Sequence, residues 1–325
     1  MKILVTGANG FIGTHLCAIL KQHGHELLEC ARNPTKPHHI KTGDIIDYAN
    51  WAELMQGVDC IIHLAAMVHH TNIDNNDATI EQAFERANVV ATQKLLQAAK
   101  VAGVAHFVFF STIAVMGYDM GYDCDAPLPA THHAPYSPYS RSKLAAEILV
   151  QQSGLPHSII RIPLTYGLGV RANFQTLIKA VKKGLPLPFA LVKNARSLLY
   201  VGNLASGVVR LLEMENKPEM LLLCDAHAPS TPELIREIAK ALNQRAFNEY
   251  NFNENILSAN SSIKIKPRLI PVPLILLKIG AVAMRKPMLY HQLCSSLVMD
   301  CTITYKELNW QPPFSLQQGL ALTVE

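Results

Sequence analysis

Little in this 325-residue chain is paired, repeated or charged to excess. Charged residues make up only 17% of it against 49% apolar, a balance that excludes wholesale disorder. No run of Lys or Arg exceeds two residues, and 29 cations against 25 acids give a net charge of +4. That surplus is too small and dispersed for a nucleic-acid surface. The seven cysteines (Cys17, Cys30, Cys60, Cys124, Cys224, Cys294 and Cys301) are odd in number and contain no CxxC pair. A disulfide framework and a clustered-cysteine zinc site are therefore not expected, and the pattern suits a reducing compartment. There are no internal repeats, low-complexity blocks or long linkers. The opening Met1-Lys-Ile-Leu-Val lacks a charged leader and a long apolar run behind it, so a cytoplasmic protein is expected. One apolar stretch stands out, LIPVPLILLKIGAVAM at 269–284. It is shorter than the ~20 residues a membrane helix needs and is interrupted by Pro271, Pro273 and Lys278. It reads as a buried or interface helix, with contact to a membrane surface as the alternative; no transmembrane segment is expected.

What is present is an alternation of short β-branched runs with helical patterns, the mark of a parallel sheet with crossover helices. Strands are expected at 2–6, 26–30, 60–64, 106–111 and 158–161. Helices are expected at 11–22, 51–56, 80–101 and 139–152. The second half has Pro-rich joints and a helix at 232–242, opened by Ser230-Thr231-Pro232-Glu233. The expected fold is α/β, a Rossmann-type doubly wound parallel sheet at 1–165 followed by a smaller mixed substrate-binding portion at 166–325. Some later segments would return to the first domain.

The first strand runs through Thr6-Gly7-Ala8-Asn9-Gly10-Phe11-Ile12-Gly13 directly into a helix. Glycines there permit a tight turn, close approach of backbone to a pyrophosphate and close packing of helix on strand. The helix N-terminus offers its N–H groups to the anion. Gly7, Gly10, Phe11, Ile12 and Gly13 are thus candidate dinucleotide contacts. The second strand should end in an acid that binds the adenosine ribose. Here that position holds Ala31, followed by Arg32. An arginine there neutralises a 2′-phosphate, favouring NADP over NAD, or it lies against the adenine face and is compatible with either. Asp44, followed by Ile45, accepts from the adenine amino group or caps its own turn.

Tyr139 and Lys143 stand four residues apart in Tyr-Ser-Arg-Ser-Lys, on one face of a helix. A phenol with pKa near 10 is a poor base at neutral pH; a neighbouring ammonium and an oxidised nicotinamide both favour phenolate. A shift of about 3 units needs roughly 4 kcal/mol of differential interaction. The strand at 106–111 ends in Ser111-Thr112, hydroxyls able to hold a reacting sugar oxygen near that phenol. The adjacent histidine pairs at 38–39, 69–70 and 132–133 lack the i, i+4 spacing of a helical metal site, so no metal is expected. His70 and nearby Asn72 are expected to border a bound sugar.

These motifs, TGANGFIG at 6–13, GDIID at 43–47, IIHLAA at 61–66, ANVVATQKLL at 87–96, STIAVMG at 111–117, YSRSK at 139–143 and RIPLTYG at 161–167, resemble the extended short-chain dehydrogenases. Within these the likeness is to the NAD-dependent epimerase/dehydratase family, over essentially the whole chain. The resemblance implies Thr112, Tyr139 and Lys143 as catalytic residues. It implies that Leu64, Ala65, Ala66 and Asn88 line the cofactor and that Lys143 also binds the nicotinamide ribose. Composition alone would leave Asn88 a helix-surface residue and His63 a core histidine. Through GVRANF at 169–174, GLPLPF at 184–189 and NARSLLYV at 194–201, the second half is similar to the bacterial UDP-glucose 4-epimerase-like and UDP-sugar 4-keto reductase subgroup. That likeness implies a nucleotide-sugar substrate, UDP-linked, with Asn173 and Arg196 on its diphosphate beside Ser111 and Thr112 on the sugar, and a homodimer. Met116 stands where many relatives carry a Tyr, Leu164 replaces a polar contact, and no arginine appears near His291-Gln292. The expected chemistry is redox at sugar C4, either NADPH-dependent reduction of a 4-keto sugar or 4-epimerisation. A non-catalytic cofactor sensor is the remote alternative, disfavoured by the intact Thr112, Tyr139 and Lys143.

Overall fold

The computed structural model describes residues 1–68, 77–117, 128–252, 265–284 and 287–324. β1 (Lys2–Thr6) leads through the glycine turn into α1 (Phe11–Gln22), followed by β2 (Glu26–Ala31), β3 (Ile40–Lys41), α2 (Trp51–Leu54) and β4 (Cys60–His63). A long helix then runs in three pieces: α3 (Asp77–Phe84), a π-helical turn (Glu85–Val90) and α4 (Ala91–Val101). β5 (His106–Thr112), α5 (Pro138–Gln152) and β6 (His157–Ile162) close the regular alternation. Next come β7 (Leu164–Tyr166), α6 (Ala172–Lys182), β8 (Pro186–Leu187), β9 (Leu198–Tyr200), α7 (Val201–Glu213) and β10 (Met220–Leu222). The chain ends with α8 (Thr231–Phe252), β11 (Arg268–Leu269), α9 (Leu274–Ala283), α10 (Pro287–Cys294), α11 (Thr302–Glu307) and α12 (Leu316–Thr323).

Seven strands form one sheet in the order β10-β6-β5-β4-β1-β2-β3, and each neighbouring pair is parallel. Parallel strands are covered on both faces, which is why β5 and β6 are buried along nearly their whole length, polar His106, Ser158 and Arg161 included. One face packs Ile3, Val5 and Val108 against Leu16 of α1 and Leu204 of α7. The other packs Leu4, Phe107 and Phe109 against Leu95 of α4 and Ala146 of α5. From β1 the chain moves outward through β2 to β3, then reverses to β4 on the opposite side. A crevice at the strand C-terminal ends is the consequence of that reversal.

The residues beyond 165 are not a separate body. β10 pairs with β6 in the main sheet, and α7 packs on α1. Without β10, the edge of β6 would carry unpaired backbone groups. The remaining C-terminal elements form their own core around Tyr166, Phe174, Ile235 and Leu320. Of the buried or interface helix expected at 269–284, the described residues do not show burial within the chain. Among the described residues of α9 only Ala281 is buried, while Ile275, Ile279 and Val282 are exposed. No helix among the described residues is long and apolar enough to cross a membrane.

Close approach at the first turn sets the glycine pattern. Gly7 has φ +72°, and a Cβ there would lie 2.8 Å from the Ala65 nitrogen. A Cβ on Gly13 would collide with the Gly7 carbonyl oxygen and lie 2.8 Å from Ala8 Cα, all of it backbone that cannot swing aside. Gly13→Ala is therefore expected to cost about 1–3 kcal/mol in guanidinium unfolding. Gly280→Ala, on open α9 with nothing within 4 Å, should instead gain about 0.5–1 kcal/mol; equal effects would show that contact at the turn is not what selects glycine.

Candidate active site

A cavity of about 460 Å³ opens at the C-terminal ends of β1, β2 and β4. Of the residues expected at a cofactor, Gly7, Gly10, Arg32, Asp44, Ile45, Leu64, Ala65 and Ala66 line it. Phe11, Ile12 and Gly13 begin α1 beside it without forming its wall. Ala31 is buried, so Arg32 is the side chain the end of β2 offers to the opening. Asp44 does both things foreseen for it: Oδ1 accepts from the Ile46 N–H at 3.1 Å, capping the turn, while the residue lines the cavity. Asn9 and Met67 also line it and were missed in the sequence. Asn9 Nδ2 donates to the Asn33 carbonyl at 2.7 Å, tying the glycine turn to the chain after β2; its place between the two glycines was the available signal.

Beneath the cavity runs a one-directional hydrogen-bond chain. Thr92 Oγ1 donates to the Asn88 carbonyl at 2.6 Å, so its lone pair receives His63 Nε2–H at 3.1 Å. His63 Nδ1 then accepts from Thr6 Oγ1 at 2.6 Å, and Thr6 Oγ1 accepts from the Ala65 N–H at 3.3 Å. Burial, reinforced by the Lys143 charge, holds the His63 pKa down at about 3, so the ring stays neutral and the chain keeps its direction. Asn88 extends it sideways. Its Oδ1 accepts from the Met67 N–H at 2.8 Å, and Nδ2 donates to the Met67 carbonyl at 3.1 Å and to Ser142 Oγ at 2.9 Å. Ser142 Oγ donates in turn to the Tyr139 carbonyl at 2.8 Å. Asn88 thus joins the loop after β4 to α5, from within the π-helical turn that interrupts the long helix. Such turns displace side chains from regular spacing and concentrate at functional sites.

α5 is started by a capping box. Ser137 Oγ accepts from the Ser140 N–H, Ser140 Oγ accepts from the Ser137 N–H, and Pro138 occupies the first turn. Those caps fix the helix phase and so the face that carries half-buried Tyr139 and, one turn on, Lys143. Lys143 is 3% exposed, with Nζ 3.9 Å from the centre of the Phe109 ring. Burial pushes its pKa down to about 7, opposed by the Glu147 carboxylate one turn further along. Glu147 is itself held by fully buried Arg161, Nε to Oε1 at 2.9 Å and Nη2 to Oε2 at 2.6 Å. Arg161 also donates to the Ala130 carbonyl at 2.6 Å and to His133 Nε2 at 2.8 Å. At the end of β5, Thr112 Oγ1 accepts from the Ala114 N–H at 3.2 Å, which leaves its own O–H to donate. Ser111 Oγ is buried with no hydrogen-bond partner among the described residues.

The two residues expected on a diphosphate meet a common element. Asn173 Nδ2 donates to Gln292 Oε1 at 3.1 Å, and Arg196 Nη1 donates to the carbonyls of His291 at 3.1 Å and Ser295 at 2.9 Å. His70 and Asn72 lie outside the described residues, as does Cys124. His38 and His39 come within 3.2 and 3.4 Å of Glu29, which also pairs with Lys21. The Thr35 N–H donates to His39 Nδ1 at 3.3 Å, which leaves the ring proton on Nε2, where a metal would need a lone pair. The counter-charge of the buried Glu29 carboxylate is Lys21, with the neutral His39 ring packed beside it.

A parallel sheet with its chain reversal at β1, a glycine turn entering α1 and a Tyr–Lys pair beside a hydroxyl-bearing strand end define a dinucleotide-dependent α/β enzyme. Residues 3–224 match the profile of the NAD dependent epimerase/dehydratase family, and the chain belongs to that family. It is 29% identical to the UDP-glucose 4-epimerase of Vibrio cholerae, over 100% of this chain and 94% of that protein. It is 25% identical to the N-acetyl-alpha-D-glucosaminyl-diphospho-ditrans,octacis-undecaprenol 4-epimerase of Escherichia coli O157:H7, over 75% and 73%. The fold matches the crystal structure of UDP-glucuronic acid 4-epimerase from Bacillus cereus in complex with NAD, with TM-score 0.71, 23% identity and coverage of 99% and 97%.

The buried ammonium makes a stability prediction. An unfolded lysine titrates near 10.4, whereas Lys143 in the folded protein titrates at about 7. Below about pH 7 the burial penalty is present in full, and it is relieved as pH rises from 7 towards 10, where the folded state has shed its proton and the unfolded state has not. Lys143→Met is expected to stabilise the cofactor-free protein by about 1–4 kcal/mol at pH 6, with the gain shrinking towards pH 10. Denaturant titrations at several pH values measure it, and a pH-independent difference would contradict charge burial as the origin of the gain.

Proposed function

We propose that this enzyme transfers hydride at C4 of a sugar carried on a nucleoside diphosphate, UDP by preference, in the direction of NADPH-dependent reduction of a 4-keto sugar. The observation that carries the direction is Arg32 lining the cavity beside a strand end that holds Ala31 where a ribose-binding carboxylate would sit. A guanidinium fork suits a 2′-phosphate and offers nothing to a bare 2′-hydroxyl pair that an acid would not do better. The cavity fits a dinucleotide: its volume lies in the usual range for ligand sites, and the turn lacks the Cβ atoms that would fill it. When bound, the nicotinamide supplies or accepts the hydride. Tyr139 moves the proton at the C4 oxygen, and Thr112, whose O–H is left to donate, orients that oxygen. The Lys143 ammonium favours phenolate at Tyr139 and reaches the nicotinamide ribose. Gly7, Gly10, Phe11, Ile12 and Gly13 form the pyrophosphate end, and Asp44, Ile45 and the 64–66 turn, braced by Asn88, the adenosine side. Ser111 offers its orphaned hydroxyl to the sugar, and Asn173 and Arg196, both tied to α10, hold the diphosphate. In this reading residues 1–165 supply most cofactor contacts and 166–325 most substrate contacts.

The second reading is 4-epimerisation with retained NAD, supported by the name of the Vibrio cholerae relative that spans the whole chain. The same residues serve it, because Tyr139 only alternates between taking and returning one proton. Cofactor handling separates the two, since an epimerase that released its cofactor would strand a keto sugar. Protein purified without added cofactor should carry little NAD and should consume NADPH in proportion to a UDP-4-keto-6-deoxy sugar. Close to one bound NAD per chain, with interconversion of UDP-hexoses and no added cofactor, decides for the epimerase. Calorimetry should find NADPH several-fold tighter than NADH, with the preference lost in Arg32→Ala; tighter NADH overturns the role of Arg32. Tyr139→Phe should reduce turnover by about 10²–10⁴ while cofactor affinity persists, and near-normal turnover would remove Tyr139 from the proton's path.

A further inference from the structure

The net charge of +4 is unevenly placed. Between Glu254 and Asp300 there is no acidic residue, and that interval holds six of the 29 cations. The rest of the chain, 23 cations against 25 acids, is net −2. Apolar exposure is concentrated in the same interval. Of sixteen exposed large apolar side chains among the described residues, seven fall within residues 270–284. Ile275, Leu276, Ile279 and Val282 form one continuous face of α9 at 55–62% exposure, with Leu277 and Ala281 turned inward. Lys266, Arg268 and Lys278 are exposed around that face. Ten residues make a helix about 15 Å long, half of what a bilayer core needs. The element is nonetheless anchored: β11 pairs with β8 at its start, and α9 packs on α10.

We propose that α9 and its surrounding cations form a docking surface for an anionic lipid bilayer, with the apolar face lying at the boundary between headgroups and acyl chains. A helix that is apolar almost all round is stable in water only when something covers it, and an exposed patch of this kind marks an interaction site. Charge selects the occupant. A second copy docked by the same face would bring Lys266, Arg268 and Lys278 against their own equivalents, with no acid anywhere in residues 255–299 to offset them, a like-charge contact that costs affinity. An anionic headgroup layer neutralises the same cations at roughly 1 kcal/mol each while its acyl region accepts the leucine and isoleucine side chains. Docking reaches the candidate substrate wall through α10, whose Gln292 and His291 are the partners of Asn173 and Arg196. A bilayer under α9 would therefore hold that wall at a fixed height above the headgroups.

The full chain, with cofactor, is floated with vesicles of phosphatidylcholine alone or of phosphatidylcholine with 30% phosphatidylglycerol (~30%, chosen to give a strong surface potential). Flotation with the anionic vesicles is expected, falling at least about tenfold on neutral vesicles and in high salt. The double variant Ile275→Glu/Ile279→Glu should lose flotation while keeping cofactor affinity and thermal midpoint, because both side chains are exposed and outside the cavity. Lys278→Glu, which leaves the apolar face intact, should lose mainly the preference for anionic vesicles. Failure of the unaltered chain to float, or equal flotation of the double variant, overturns the proposal. So does sedimentation velocity showing a dimer that the double variant breaks, without vesicle binding, since α9 is then an interface between copies.

Discussion

An ammonium group held out of water organises the half of this molecule that carries the candidate active site. Lys143 is almost wholly buried, and an isolated buried charge would be untenable. Three features make it tenable. The Phe109 ring presents its negative face at 3.9 Å, Glu147 supplies a carboxylate one helical turn away, and His63 beside it is kept neutral. Glu147 cannot serve alone, since a buried carboxylate needs its own partners, and Arg161 provides two. Arg161 in turn is fixed by the register of β6, where it lies opposite Ser111 of β5. One buried cation thereby ties the helix bearing the Tyr–Lys pair to the strand end bearing Ser111 and Thr112. Burial lowers the lysine pKa towards neutrality, and titration perturbed in this way concentrates at functional sites.

This arrangement was only partly legible in the sequence. The glycine turn, the strand order of the first half and the Tyr139–Lys143 spacing follow from local chemistry: glycine where backbone approaches backbone, period-3.6 patterns for crossover helices, i and i+4 on one face. Those are short-range rules, and the structure obeys them to within a residue or two at most boundaries. What could not be read was the hydrogen-bond chain through Thr6, His63, Thr92 and Asn88. Its directly bonded members are up to 57 positions apart, as Thr6 and His63 are, and these two meet because β1 and β4 pair in register, Thr6 opposite His63. Asn88 would pass for a surface residue of a regular helix at 80–101, and only the π-helical turn brings it under Met67. A change of helix type by one residue per turn leaves no trace in hydrophobic periodicity.

The second half was less legible for a related reason. Short strands such as β8 and β11 have two residues each, below the length at which alternation carries information. Their pairing depends on contacts far away in the chain, as do Asn173 with Gln292, 119 positions apart, and Arg196 with His291, 95 apart. The same reasoning explains why 165 is a boundary of sequence texture and not of space: the return of β10 to β6 is decided by an open sheet edge, which no local pattern announces. The apolar stretch at 269–284 illustrates the limit most clearly. Its composition predicts burial in something, and composition cannot say whether that something is the rest of the chain.

These differences in range separate what is constrained from what is free to vary. The 64–67 turn at the cavity wall is braced twice, by the register of β1 with β4 and by the buried polar chain, so a change at Thr6 or Asn88, as at Glu147 beside Arg161, leaves a buried group without its partner at a cost of kcal/mol. The candidate substrate side is held differently. Met116 is buried in a small cluster with Leu222, Cys224 and Met299, where a tyrosine would need both room and a hydroxyl partner. Leu164, in contrast, is half exposed at the start of β7 and makes few demands on its surroundings. A family that keeps one redox core while changing sugars would accumulate its differences at positions of the second kind and in the small clusters around them. Leu164 is a position of that undemanding kind, whereas the Met116 cluster packs against Ala130, whose carbonyl Arg161 holds, and Leu144, the neighbour of Lys143, so a change at Met116 is felt by the Lys143–Glu147–Arg161 system.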